Sequence, residues 1–303
     1  MRQSLKDLFS KTILYQYNIP HVAKKIDGIH LCNYEDYCFD YSHDDDLVKL
    51  IYNLIIEYSF NEFEIGKQDY SSLITRALTS KIKYKEWQAE STKIKYGFYG
   101  EVLLYAFLHD FYKAKPIISR GYFYNPLENS ETKGYDSYHL VETTDNVELW
   151  FGEVKFRDIF CCAKTSAVAS AIEGIDKALS DQYLKTNILA MDNHRNNFNI
   201  KNSKIELILD AWYENPSINI IDEIKKYNMT LVYPILIIYS DKEPCYDTKI
   251  QNAVDKINKK FASKTYKLSI DYKIFFIFLP ISEVKKIKQE VIQWIESKQP
   301  LLS

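Results

Sequence analysis

The stretch Val147–Phe156, reading VELWFGEVKF, leaves this chain the least choice of fold. As a strand it sends alternate side chains to opposite faces. One face carries Val147, Leu149, Phe151, Glu153 and Lys155; the other carries Trp150, Val154 and Phe156. A strand apolar on both sides is a central one, covered by a further layer on each face. An acid and an amine in such a layer need partners, because burying unpaired charge costs several kcal/mol.

The flanking patterns supply those layers. Leu47–Tyr58 has apolar residues at 47, 50, 51, 54, 55 and 58, which is helical spacing. Asp44-Asp45-Asp46 just before it suits a helix N-terminus, by capping and by charge, better than a metal site. A second helix is expected over Tyr70–Thr79. Ile94–Lys113 is helical, with Leu104, Leu108 and Phe111 on one stripe. Pro116–Tyr124, Tyr135–Glu142 and Val147–Phe156 read as extended runs, the last two joined by a turn at Thr143–Asn146. Thr165–Leu184 is expected as one helix, Lys204–Tyr213 as another, and Met229–Tyr239 as a buried strand. The chain then reads helix (Thr248–Ala262), strand (Lys267–Leu279), helix (Ser282–Ser297). The order α-β-β-β-α-β, extended at both ends, implies an α/β sandwich around a mixed sheet.

Several classes are excluded. The longest apolar runs, Leu231–Tyr239 and Ile274–Ile281, fall far below the ~20 residues of a membrane helix, so no membrane association is expected. The N-terminus mixes charge into every turn and lacks a signal-peptide apolar core. Cys32, Cys38, Cys161, Cys162 and Cys245 form no C-x-x-C pair and read as reduced thiols of a cytoplasmic protein. Gly66-Lys67 lacks the upstream glycine and the following hydroxyl of a P-loop, so any ATP-driven work belongs to a partner. The 39 basic and 41 acidic residues leave a net charge of -2, which disfavours a strongly basic, freely scanning nucleic-acid binder.

The pattern acid-x-Lys occurs seven times in this lysine-rich chain, so by itself it is weak. Asp271–Lys273 is the one competitor on an expected strand. Only Glu153–Lys155 follows an acid at the start of a paired strand, Asp136 in KGYDSYHLV, and a helix with a glutamate on its apolar stripe. Glu101 shares its helical face with Leu104, Tyr105 and Leu108. Gly97 and Gly100 would let that helix pack close to the sheet. Each residue also has a plainer reading: Glu153–Lys155 as a structural ion pair, Asp136 as a turn residue after Gly134, Glu101 as an exposed helix residue.

With Glu101 on the first core helix, Asp136 opening the second core strand and Glu153-Val154-Lys155 on the third, the chain resembles the PD-(D/E)XK nuclease superfamily over roughly residues 94–240. Within it, GFYGEVLLYAFLHDF through LWFGEVKFRD is most similar to the HamA family, nuclease subunits of the Hachiman anti-phage defence system. Tyr135 departs from the aliphatic residue many members carry before the aspartate. The resemblance implies a Mg²⁺-dependent DNA endonuclease, with Mn²⁺ able to substitute. Asp136 and Glu153 would hold the ion, Glu101 would support it, and Asp136, Glu153 and Lys155 would be catalytic. It also implies a HamB-like helicase subunit as partner and restraint. The expected division is a mainly helical extension, 1–93, suited to partner docking, and a PD-(D/E)XK-like domain, 94–303, with a C-terminal helix-strand-helix elaboration. A stand-alone restriction or repair nuclease and a catalytically silent interaction module of the same fold are the alternatives.

Gln182 and Tyr183 occupy a position used in some members, though surface or packing roles fit them better. His139 falls on the face opposite Asp136 and reads as structural. Lys81, Lys83, Lys85, Lys93, Lys95, Lys113, Lys115 and Arg120, interleaved with Tyr84, Trp87 and Tyr96, are candidate phosphate and base contacts. Solvated lysines explain them equally well. Lys285, Lys286 and Lys288 read as a solvated helix face.

Overall fold

The computed structural model describes residues 1–12, 15–18, 26–32, 42–66, 68–128, 130–161, 163–241, 246–261 and 264–302. In chain order these form α1 (Gln3–Thr12), β1 (Tyr15–Asn18), β2 (Ile26–Cys32), α2 (Ser42–Ser59), α3 (Glu62–Ile65), α4 (Tyr70–Ser80), α5 (Glu90–Lys93), α6 (Phe98–Asp110) and β3 (Lys115–Pro116). There follow β4 (Tyr124–Asn125), β5 (Ser130–Glu131), β6 (Ser137–Glu142), β7 (Val147–Arg157), α7 (Ala167–Ala178), α8 (Asp181–Asp192), α9 (Lys204–Glu214) and α10 (Ile220–Lys226). The last elements are β8 (Met229–Ser240), α11 (Tyr246–Phe261), β9 (Asp271–Ile281) and α12 (Val284–Glu296).

The α/β expectation holds. Strands β9-β8-β7-β6-β3, in that order, form a mixed sheet that β2 and β1 extend beyond β9, while β4 and β5 pair only with each other. Strands β7, β8 and β9 run parallel, whereas β6 pairs antiparallel with β7 and with β3. Helices cover both faces, as the doubly apolar β7 requires. Leu149 and Phe151 pack with Val168, Ile175 and Leu184 of α7 and α8 on one side. Trp150 and Val154 pack with residues of α2, α6 and α12 on the other. The latter layer joins residues before and after 93 in one core. Helix α2 buries more than its expected stripe: Val48, Tyr52 and Ile56 are inside too. A helix apolar all round belongs in an interior.

Three element expectations are corrected. Thr165–Leu184 is two helices, because Ser180 caps α8 by accepting from Tyr183 N at 3.3 Å while Asp181 N donates to Lys267 O at 2.9 Å. The run Pro116–Tyr124 is strand only at its two ends, Pro116 in β3 and Tyr124 in β4. Ser119 N turns to Asn61 Oδ1 at 3.0 Å and a 3-10 turn follows at Arg120–Phe123. Gly121 sits so close to α2 that a Cβ would lie 2.5 Å from Ser59 O. The helix expected from Ile94 starts at Phe98, after the separate turn of α5. Helix α10 escaped the apolar-spacing argument because it is short.

No helix among the described residues is long and apolar enough to cross a membrane. Cys161 is half-buried; Cys38, Cys162 and Cys245, and the side chain of Cys32, lie outside the described residues.

Candidate active site

An interruption in the sheet builds the site. The β7–β8 ladder pairs Trp150 with Val232, then resumes at Glu153 and Ile235. Between them stands Pro234, which has no N–H to donate. Its ring occupies the space a side chain at 152 would need: a Cβ on Gly152 would lie 2.6 Å from the ring and 2.8 Å from its carbonyl oxygen. On the other edge, β6 begins at Ser137 opposite Gly152, so no strand residue meets Val154. Two side-chain acceptors and one backbone bond complete the ladder there. Gly152 N donates to Ser137 Oγ at 3.1 Å, Asp136 N to Gly152 O at 2.8 Å, and Val154 N to Asp136 Oδ2 at 2.9 Å.

Asp136 is thereby held beside Glu153. Burial, followed by the charge of Glu153, pushes its carboxyl up to about 6, against the opposing hydrogen bond from Val154. Glu153 and Lys155 point to the same face, as their spacing implies, and form an ion pair. The other carboxylate oxygen, Oε2, accepts from Tyr233 OH at 2.5 Å. Gly174 of α7 leaves room for it, since a Cβ there would stand 3.1 Å from Oε2. The competing pair Asp271 and Lys273 is exposed at the start of β9.

Glu101 approaches from the other layer and is only 6% exposed. Its Oε2 accepts from Tyr58 OH of α2. Burial first, then Asp136 and Glu131, raise its carboxyl well above the usual range. Gly100 lets the helix pack close to the sheet as expected, whereas Gly97 instead makes room for the Glu101 side chain of the same helix. A Cβ on Gly100 would lie 2.7 Å from Val154 Cγ2, and one on Gly97 would lie 2.5 Å from Glu101 Oε1. Asp136 and Glu153 line one cavity of about 370 Å³, together with Arg120, Lys177 and Tyr183. Glu101 and Lys155 are not on its wall.

Among the described residues no group of three or more His, Cys, Asp or Glu side chains is gathered to hold a metal. Two carboxylates on one cavity, with the charge of Glu153 raising the proton affinity of Asp136, still suit Mg²⁺, which takes one or two carboxylates and keeps several waters. The donor set therefore fits Mg²⁺ through Asp136 and Glu153. The acidic cluster near residue 44 has another use: Asp44 is buried and accepts from Ser282 Oγ.

Tyr135, the departure from the superfamily pattern, is a packing residue. Its OH donates to Ala178 O at 2.7 Å and its N–H to Asn187 Oδ1 at 3.2 Å. Asn187 also accepts from Tyr138 OH at 2.6 Å, so α8 steers the loop that delivers Asp136. Gln182 is exposed, whereas Tyr183 lines the cavity. Tyr58, Tyr233 and Asn187 were beyond sequence reasoning. Tyr58 stands on the α2 stripe and Tyr233 in the apolar β8 run, but neither pattern marks a hydroxyl aimed at a distant carboxylate.

The basic residues do not share one environment. Lys93 is buried and paired with Glu296, Lys81 Nζ sits 3.6 Å above the Tyr122 ring, and Arg120 is inside. Lys83, Lys95 and Lys115 are exposed, as is Trp87, with Lys85 5.2 Å from its ring. Lys288 corrects the solvated-face expectation: it is buried and donates to Phe156 O at 3.2 Å. Its neighbour Lys285 does face solvent.

His139 is 1% exposed, with Tyr105 at 5.2 Å and no hydrogen-bond partner on either ring nitrogen among the described residues. Burial pushes the imidazole down to about 3. A histidine kept neutral by the fold contributes fully above its unfolded pKa of ~6.5, and the contribution fades as pH falls toward 3. Between pH 7 and pH 4 the chain should lose roughly 3 kcal/mol more stability than a His139→Leu variant. Parallel urea-unfolding profiles for the two proteins would contradict this.

A family model described as HamA matches residues 7–295, nearly the whole chain. No curated protein and no solved structure matches the chain.

Proposed function

We propose, from the premise that the chain belongs to the HamA family, that it is the metal-dependent DNA endonuclease of a Hachiman defence complex, using its α/β core in the PD-(D/E)XK manner. Membership implies the defence context. The nuclease reading rests on one observation above all: Asp136 replaces a missing strand partner at Val154 and so stands beside Glu153 on one cavity.

Each residue then has a task. Asp136 and Glu153 would hold Mg²⁺, which when bound polarises the scissile phosphate and lowers the pKa of an attacking water. Tyr233 fixes the Glu153 carboxylate by donating to Oε2. Lys155 carries its positive charge on the same face, suited to orienting the water or to opposing the charge that builds on the phosphate. Glu101, tied to Tyr58 and within the electrostatic reach of Asp136, would support the ion indirectly, from the neighbouring layer.

The near-neutral charge and the missing P-loop suit a nuclease that borrows DNA handling and ATP hydrolysis from a helicase subunit resembling HamB. In this reading 94–303 carries the site and 1–93 contributes docking surface. The test is cleavage of supercoiled plasmid by the purified chain, alone and with the co-expressed helicase. Mg²⁺ or Mn²⁺ should support cutting, and EDTA should abolish it. Cutting unaffected by EDTA overturns the metal-dependent reading. Cleavage of an RNA of matched sequence but never of DNA overturns the substrate. Full, regulated activity with no helicase associated favours the stand-alone nuclease.

A further inference from the structure

The cavity beside Asp136 and Glu153 is walled on one side by Arg120, and the guanidinium there is not satisfied by the protein. The residue opens the 3-10 turn Arg120–Phe123 and is only 6% exposed. Its Nη2 donates to Thr132 O at 3.0 Å. Nε and Nη1 are buried and, among the described residues, have no hydrogen-bond partner. The neighbourhood is acidic: Glu101 and Glu131 act on its charge, as do the hydroxyls of Tyr58 and Tyr138. Even so, no carboxylate of this cluster accepts a hydrogen bond from it.

A guanidinium does not escape its charge by deprotonation, so this cation is retained inside at a cost. Buried donors left unmade cost ~1–3 kcal/mol each. A group kept in that condition on the wall of a cavity is matched to something that enters. Arginine presents a planar fork suited to phosphate oxygens. The acids around it pose the complementary problem, since they would repel a phosphodiester approaching Asp136 and Glu153. A fixed cation on the same wall offsets that repulsion.

We propose that Arg120 is a substrate-binding residue that grips a non-bridging phosphate oxygen of the polynucleotide in the cavity holding Asp136 and Glu153. This rests on the nuclease reading of that cavity. Its position, delivered by the loop between β3 and β4, differs from that of the exposed lysines, which meet phosphate only as solvated charges.

The experiment is binding of a short fluorescein-labelled DNA duplex, read by anisotropy across a salt series, with Ca²⁺ in place of Mg²⁺. The proteins are the full chain, R120Q and R120K. R120Q should bind about tenfold more weakly. The slope of log affinity against log salt should fall in magnitude by about one, the loss of one phosphate contact. R120K should keep the slope and recover part of the affinity. A purely structural arginine changes the melting temperature but not the salt slope. Wild-type binding with unchanged affinity and slope in R120Q overturns the role of Arg120 alone. If R120Q does not fold, R120K decides, and affinity equal to wild type overturns the proposal. A wild-type chain that binds no duplex overturns the DNA reading and this proposal with it.

Discussion

Glu153→Gln and Lys155→Ala should each lower metal-dependent plasmid cleavage by about a thousandfold, while circular dichroism and the melting transition stay those of a folded protein. Removing one preorganised electrostatic group from a site costs ~10²–10³ in rate, and loss of a metal ligand adds to that. Glu153→Gln keeps the volume beside Gly174 and still offers Tyr233 an acceptor, so the sheet has little reason to change. What disappears is the charge that faces Asp136 and pairs with Lys155. Lys155→Ala leaves Glu153 held by Tyr233, so the proposed metal ligand is kept while the cation is lost. Cleavage undiminished in both variants would sink the assignment and leave Glu153–Lys155 as a structural ion pair. Binding of Mn²⁺, followed by its paramagnetic signal, separates the two residues: Glu153→Gln should weaken it and Lys155→Ala should not.

Gly152→Val is expected to destabilise the chain by about 3 kcal/mol or more, near the upper range for overpacking a core. The added atoms meet the Pro234 ring at 2.6 Å and its carbonyl at 2.8 Å, and backbone on a central strand yields little. The substitution also presses on Ser137 Oγ, 3.0 Å from the same position, and through it on the segment that carries Asp136. Whatever protein remains folded should therefore lose cleavage as well as stability. Gly66→Ala is the control, because a Cβ there meets nothing within 4 Å and should stay within about 0.5 kcal/mol of wild type. Equal urea midpoints for the two variants would show that the close approach at Gly152 relaxes at no cost.

The parts legible in the sequence were those set by period. The doubly apolar run of β7 implied a covered central strand, and both layers are present. Parity alone put Glu153 and Lys155 on one face. Parity also sent His139 to the face opposite Asp136, where it packs on Tyr105. Spacing on α6 put Glu101 toward the core, with Gly100 as the point of close approach to the sheet. Boundaries were less legible. Ser180 splits one apolar stripe into α7 and α8 by a single capping bond, and Lys288 looked solvated because the carbonyl it serves lies on β7.

What the sequence by itself determined, then, is the central strand, its two layers and the face on which the acid and lysine project, because local sterics alone set those periods. Tertiary structure decided everything that depends on which distant groups meet. It brought Tyr58 to Glu101 across 43 positions and Tyr233 to Glu153 across 80. It began β6 only at Ser137, two residues short of the position that would meet Val154, and the Asp136 side chain supplies the missing acceptor. It also left the guanidinium of Arg120 without an acceptor for two of its nitrogens on the wall of the same cavity. Hydrogen-bond satisfaction in an interior is a property of the assembled neighbourhood, and a linear pattern carries no record of which neighbour will provide it.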